Sequence, residues 1–372
     1  MKSAICEMLD IELPLLAFSH CRDVVAAVTN AGGFGVLGLA AGDPDQLEQD
    51  LSWIDEQVRG KPYGADILVP NRYEGKGQHL SRDQLAARVP QEHRDYVAKI
   101  LRDHDIDDTG TFKLGPPLIR EEVGLQQIEV ALSHPIRLLA NGLGVPPTEM
   151  LDAAHAKGVL VAALVGTAEH AVHQVEAGVD VIVAQGTEAG GHTGQIGTMV
   201  LVPEVVAAVQ SHRRVPVLAA GGIVTGRQMA AAVTLGAAGA WTGSVWLTTD
   251  EAETAPASVA KMLTASSRDT TRSTGRTGKP ARQLTSSWTQ AWEPGVGPGS
   301  LPMPLQSMLV EGPLRRVDAL AEQNHRGAQE LATYFVGQGV GLMTKVKSAR
   351  DVVYEFALDY IDATQRVAAT LD

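Results

Sequence analysis

A closed barrel of eight β/α units, the (β/α)8 or TIM-barrel fold, is what this sequence predicts. Three observations carry that expectation. Short apolar runs alternate with helical spacing eight times between Leu13 and Leu247, the signature of a parallel sheet with crossover helices. Ala, Val, Leu and Gly dominate a chain that is 44% hydrophobic and only 4% aromatic, which favours β/α architecture over a disulfide-stapled or disordered one. The length, 372 residues, holds a barrel of roughly 250 residues with chain left over for additions. A doubly wound open sheet is the runner-up.

The units follow in order. Leu13 to Phe18 is the first strand, followed by a helix from Arg22 that stops at Gly32 and Gly33. Phe34 to Leu39 is the second; Asp43 as cap and Pro44 in the first turn then open a helix to about Gly60. Tyr63 to Val69 is the third strand. Alternation then breaks. Residues 70–117 are polar and charged, with Tyr96, Val97, Ile100 and Leu101 at helical spacing. A connection this long is usually functional or disordered, and it reads as a partly helical insertion over one end of the barrel, a lid or a contact in a homodimer. The pattern resumes with a helix at 121–132, strand 137–144 and helix 147–157, then strand 160–165 and helix 168–177 capped by Thr167. Strand 181–185, a glycine loop, helix 203–212, strand 215–220, helix 226–235 and strand 240–247 complete the eight. The expected division is a barrel over 1–265 and a C-terminal cap over 266–372. That cap begins with a run rich in Ser, Thr, Gly and Pro at 265–304 and continues with helical patterns at 314–336 and 350–369.

Charge and cysteine content narrow the function classes. Lys and Arg number 31 against 43 Asp and Glu, a net charge of −12, which disfavours sequence-independent binding to nucleic-acid phosphates. Only Cys6 and Cys21 occur, without metal-ligand spacing, so no disulfide framework and no metal site are expected, and a reducing compartment is. The start, MKSAICEMLDIELPLL, carries acidic residues where a signal peptide needs an apolar core. Apolar runs such as Val159 to Val165 fall far short of the ~20 residues of a membrane span. A cytoplasmic enzyme is the expectation.

Chemistry in such a barrel sits at the carboxyl ends of its strands, with a phosphate commonly held after strands seven and eight. Gly221 and Gly222 follow strand seven just before a helix whose cap is Thr225, and Trp241, Thr242, Gly243 and Ser244 belong to strand eight. Backbone N–H groups at a helix start bind phosphate directly, and the Ser244 hydroxyl offers one more donor. After strand six comes QGTEAGGHTGQIG, where Gly186, Gly190, Gly191, Gly194 and Gly197 leave the backbone uncovered by side chains. Gln185 precedes it, and its amide both donates and accepts. The ends of strand one (Ala17, Phe18, Ser19) and strand three (Asp66) face the same mouth. These positions suit a phosphate-bearing planar cofactor lying across the barrel top. His192 is the one histidine set in a glycine loop at a strand end, whereas His155, His170, His173 and His212 fall on helical stretches. An imidazole there is a candidate acid or base. A non-redox phosphosugar enzyme, or a protein that binds such a cofactor without turnover, is the alternative of another class. No lysine at a strand end suits a Schiff-base aldolase.

AQGTEAGGHTG, AAGGI and GAAGAWTGS, in that order, resemble the FMN-dependent nitronate monooxygenases, formerly 2-nitropropane dioxygenases. The resemblance covers about residues 10–265 and extends to Gly337 and Gln338. It implies FMN contacts at Gln185, Gly190, Gly222 and the 241–244 segment, and a catalytic base or substrate-orienting group at His192. It implies oxidation of alkyl nitronates with O2 to a carbonyl compound and nitrite. The family usually carries Asn at the strand-three flavin contact, where this chain has Asp66, and the 70–117 insertion departs from compact members. Flavin-dependent enoyl reductases and quinone reductases share the scaffold, so reduction by NAD(P)H of a quinone or enoyl thioester is the rival reaction.

Overall fold

The computed structural model describes residues 3–39, 44–69, 80–107, 114–115 and 121–371. Eight parallel strands close into a barrel: β1 (Leu15–Ser19), β2 (Phe34–Leu39), β3 (Gly64–Ile67), β4 (Leu138–Asn141), β5 (Leu160–Val165), β6 (Val181–Gln185), β8 (Val217–Ala220) and β9 (Gly239–Thr242). Closure is made by β1 on β9, with Leu16 beside Trp241 and Ala17 beside Thr242. A two-residue strand, β7 (Gly191–His192), lies outside the barrel.

Strand periodicity sorts the core into two layers. Leu16, Phe34, Val36, Leu138, Val181, Val183, Leu218 and Trp241 fill the barrel interior. Ile5 and Leu9 of the helix Ala4–Leu9 join that cluster. Their neighbours Ala17, Ala65, Leu139, Val161, Ile182 and Ala219 point outward into the layer shared with the helices. Ala17 is therefore turned away from the mouth, because it and Phe18 are adjacent on one strand and face opposite sides.

Boundaries depart from expectation at three places. The last barrel strand ends at Thr242 and not at residue 247; a 3-10 turn, Ser244–Thr248, follows. Trp246 stops the strand by folding back, its Nε1 donating to Thr242 O at 3.2 Å and Oγ1 at 3.0 Å. The helix expected from residue 203 begins at Thr198 and contains Pro203. The fourth strand is confined to Leu138–Asn141. Thr167 caps its helix through the His170 amide at 3.2 Å. Thr225 holds the N-cap position of Gly226–Thr234 without a side-chain cap bond, since its hydroxyl donates to Gln228 Oε1. Asp43, the other expected cap, lies outside the described residues, as do residues 70–79, 108–113 and 116–120 of the insertion.

The described part of the insertion forms two helices, Arg82–Ala87 and Gln91–Arg102. Their apolar residues Leu85, Val97, Ile100 and Leu101 share a second core with Trp288, Trp292, Met308, Leu309 and Val317 of the tail. Trp288 is fully buried, and Tyr96 meets Trp292 edge-on with centroids 5.4 Å apart. The Ser/Thr/Gly/Pro-rich run is not a plain loop. It contains an antiparallel pair, β10 (Thr270–Ser273) and β11 (Ala281–Leu284), and β11 continues onto β7. The helices Leu305–Glu322, Arg326–Leu331 and Ala349–Ala368 follow. Cys6 and Cys21 are free and buried. Among the described residues no helix is long and apolar enough to cross a membrane.

Candidate active site

A cavity of about 490 Å3 opens at the carboxyl ends of the barrel strands. Phe18, Asp66, Gln185, Gly190, Gly191, His192, Gly221, Gly222, Trp241, Thr242, Gly243 and Ser244 all line it. Ala17 does not line it, nor do the loop glycines Gly186, Gly194 and Gly197.

Its barrel wall is built by strand ends. Phe18 and Trp241 stack with centroids 6.3 Å apart, which floors the cavity with aromatic surface. Thr242 closes the barrel more than it faces the cavity: its hydroxyl donates to Leu16 O at 2.9 Å and accepts from Trp246 Nε1. After β8, Gly221 (φ 108) and Gly222 (φ 71) occupy the left-handed region that side chains disfavour. A Cβ on Gly221 would lie 2.7 Å from Thr198 Oγ1. Gln228 pins this turn, its Nε2 donating to Gly222 O at 2.7 Å and its Oε1 accepting from Val224 N at 2.9 Å. Ser244 Oγ accepts from the Gly337 amide at 2.8 Å, which leaves its own hydroxyl hydrogen for a ligand.

Asp66 is the most perturbed acid of the wall. It is buried, its Oδ1 has no hydrogen-bond partner among the described residues, and burial pushes its carboxyl up to about 7 against a partial offset from the Gly142 amide. A buried polar atom without a partner is costly, and here it faces the cavity.

The glycine loop after β6 is not bare. Thr187 N donates to Ile196 O at 2.8 Å and closes its neck. Glu188 turns its carboxylate onto Thr198, accepting from N at 2.9 Å and from Oγ1 at 2.9 Å, and so supplies the cap that starts the helix at Thr198. That carboxylate occupies the helix start, so an anionic ligand is left the glycines of β8 and β9. Gln338 N donates to Glu188 O at 2.8 Å, and Gly190 packs so closely on Val336 and Gly337 that a Cβ would sit 2.9 Å from the backbone. His192 pairs with Ala281 across β7 and β11, and its Nε2 meets Thr277 Oγ1 at 2.8 Å. Burial, followed by the Lys279 charge, lowers its imidazole to about 4, so the ring is neutral at physiological pH.

The wall opposite the barrel holds residues that sequence reading missed. The Arg276 guanidinium is paired with Glu311 at 3.0 Å and lies 4.7 Å over the Phe335 ring. Thr277, Ser307 and Tyr334 line the same side. His20 also lines the cavity, its Nδ1 bonded to Gly38 O at 2.7 Å and its ring edge-on to Phe18 at 5.1 Å. His20 was legible as the residue just past the end of strand one. The tail residues carried no comparable signal.

A closed parallel barrel with one ligand-sized cavity at its carboxyl mouth, a glycine cradle at two strand ends and a neutral histidine on a third defines a barrel enzyme. The chain belongs to the nitronate monooxygenase family, whose profile matches residues 12–359, and it is accordingly an oxidoreductase. The Mycobacterium tuberculosis protein Rv1533, provisionally named a monooxygenase, is 51% identical over 367 residues, 97% of each chain. A Bacillus subtilis protein provisionally named nitronate monooxygenase is 27% identical over 363 residues, 94% of this chain and 95% of that one. Among solved structures, the nitroalkane oxidase of Streptomyces ansochromogenes superposes with a TM-score of 0.80 at 24% identity, covering 98% of this chain and 100% of that one. FabK of Thermotoga maritima gives 0.71 at 24% identity, covering 100% and 99%. These two likenesses bear on the fold alone.

Proposed function

We propose that the chain binds FMN across the barrel mouth and oxidises alkyl nitronates, with O2 as the final acceptor and a carbonyl compound and nitrite as products. One observation carries the reading. A single cavity joins a glycine cradle at β8 and β9, an aromatic floor, an unpartnered buried Asp66 oxygen and a neutral His192. The residues fit the flavin. Gly221, Gly222, Gly243 and Ser244 offer backbone approach and a hydroxyl to its phosphate. Gln185 and Asp66 offer polar atoms to the edge of its ring, where a protonated Asp66 donates as the family's usual Asn would.

FMN supplies the electron acceptor when bound; the chain supplies orientation and charge. The Thr277 hydroxyl donates its one proton to Lys279 O at 3.1 Å, a carbonyl that can only accept, and so accepts from His192 Nε2–H at 2.8 Å. That places the imidazole proton on Nε2 and leaves Nδ1 as an acceptor for the substrate. An imidazole lowered to about 4 is a weak base, so His192 serves chiefly to orient the substrate. The tail wall, with Phe335, Tyr334 and Met303, covers the substrate and restricts water.

The absorbance spectrum of the purified protein tests the cofactor, and anaerobic mixing tests the reaction. Bleaching of flavin by a nitronate is the expected result. Rapid bleaching by NADH or NADPH and none by nitronate would instead establish a quinone or enoyl-thioester reductase, and a colourless protein that FMN does not reconstitute would point to a phosphosugar enzyme. His192→Asn is expected to keep its flavin and to lose turnover by a factor on the order of 100 or more. Full activity in that variant would remove His192 from the mechanism.

A further inference from the structure

We propose that Arg272 and Arg282, which face each other across β10 and β11, are positioning residues that grip the glycine loop at both ends and set His192 in the cavity. The inference rests on the role given to His192 above. The two arginines are direct partners in the strand register. Arg282 Nε donates to Thr187 O at 2.8 Å, just after β6. Arg272 donates through one terminal nitrogen to Thr193 O at 2.9 Å, immediately after His192. A further Arg282 bond, to Thr270 Oγ1 at 3.0 Å, ties the loop to β10 as well as to β11. Between the two gripped carbonyls lie Gly190, Gly191 and His192, and β7 is too short to hold its own register.

The chemistry explains why arginine stands at both positions. A loop this rich in glycine loses much conformational freedom when ordered, and charge-assisted bonds to its carbonyls are stronger than neutral ones. The planar fork of Arg282 spans two acceptors on different elements at once, which an ammonium group does poorly. The arrangement is also costly. Arg282 is 7% exposed, and burial followed by the facing Arg272 cation pulls its guanidinium below the ordinary range. Glu188 acts on it through charge, yet the Glu188 oxygens are bonded to Thr198. A buried cation facing a half-buried one, both bonded to neutral oxygens, would be a poor choice for stability alone. The carbonyls they hold flank His192, the one histidine of the loop.

Arg272→Gln and Arg282→Gln, each made alone and in the His192→Asn background, test the assignment. The flavin cradle lies on β8 and β9, so flavin content is expected to match the unsubstituted protein. For each arginine variant kcat with a nitronate falls roughly tenfold, KM stays within about twofold, and in the His192→Asn background the same change alters kcat by less than about twofold. Arg282→Lys keeps the charge without the fork and restores only part of kcat. Hydrogen exchange of the flavin-bound protein should speed up across 187–197 and stay unchanged across 217–243. Unchanged kcat, losses that multiply with His192→Asn, or flavin lost in step with kcat would each overturn the proposal. If Arg282→Gln fails to fold, Arg272→Gln and Arg282→Lys carry the same exchange measurement, and unchanged protection at 187–197 in both overturns it. Full activity in His192→Asn defeats the reading of the reaction instead, whatever the arginines do.

Discussion

The two walls of the cavity are built by different means. The barrel wall is a set of strand ends, where a side chain's direction follows from the two-residue period and its height from a parallel ladder. Each of its groups sits on an element that would be there without the site. The tail wall is assembled by contacts between residues far apart in sequence: His192 with Thr277 at a separation of 85, Arg272 with Thr193 at 79, Arg282 with Thr187 at 95. The first wall is rigid because the fold is closed. The second is held by the core it shares with the insertion and, at the glycine loop, by specific polar bonds. Substitutions in the barrel wall should therefore act on cofactor binding, and those in the tail wall on turnover with cofactor retained.

The largest expected effect tests the barrel half of that contrast. Gly221→Val forces a β-branched residue to φ 108 and drives its Cβ toward Thr198 Oγ1, 2.7 Å away. Strain of about 1–3 kcal/mol at the cradle should yield a folded but colourless protein. The visible spectrum and the thermal midpoint check it together. A yellow Gly221→Val protein would break the division between the walls.

Asp66 sharpens it through pH. Its carboxyl, ordinarily near 3.8, is raised by burial to about 7. Between about pH 4 and 7 the folded protein without cofactor keeps a proton that the unfolded chain has lost. Its stability therefore falls as pH rises through that window and levels off above it. The shift corresponds to at most about 4 kcal/mol. Asp66→Asn should raise the thermal midpoint at pH 8 and change it little at pH 4.5. For cofactor, a carboxyl that donates below 7 becomes an acceptor alone above it. FMN affinity should then weaken above pH 7 by up to about tenfold per unit and become flat in Asp66→Asn. Equilibrium titration with FMN at several pH values measures this; a flat profile in the unsubstituted protein would detach Asp66 from the flavin.

The same contrast explains what could be read from sequence. The apolar runs at 160–165 and 181–185 are bounded by turn residues, and both strands fall where periodicity puts them. The glycines at 221–222 declare themselves because both sit in the left-handed region that side chains disfavour, whereas Gly243, at φ −131 with room for a Cβ, is marked only by its place after a strand. Ala17 lies outside the cavity lining because it sits one residue deeper in the strand than Phe18 and points into the outer layer. The last strand was drawn too long because Val245, Trp246 and Leu247 extend an apolar run, while the bond from Trp246 back to Thr242 that ends the strand leaves no trace in composition. Pro203 drew the next helix start to itself, since the true start depends on Glu188, ten residues before Thr198. The Ser/Thr-rich run hid β10 and β11 because neither carries an apolar alternating pattern, and the second partner of β11, Gly191–His192, is distant in sequence. Thr277, Arg272 and Arg282 matter only through that pairing, so nothing local marks them.

Thr277 gives the smallest effect and the cleanest separation of the walls. Its hydroxyl touches His192 Nε2 at 2.8 Å and is itself placed by the Lys279 backbone, with O at 3.1 Å and N at 3.3 Å. Thr277→Val keeps the shape and removes the hydroxyl. The imidazole stays in the cavity because β7 still pairs with β11, but its tautomer and tilt are no longer set. One hydrogen bond of this kind is worth about 0.5–1.5 kcal/mol net, so anaerobic flavin reduction by a nitronate should slow between about twofold and tenfold. Flavin content and FMN affinity should not move, because no cradle residue is touched. If Thr277→Val released FMN, the tail wall would be holding cofactor as well as substrate. If it left the reduction rate unchanged, His192 would owe its orientation to the loop backbone alone, and Arg272 and Arg282 would be the residues that set it.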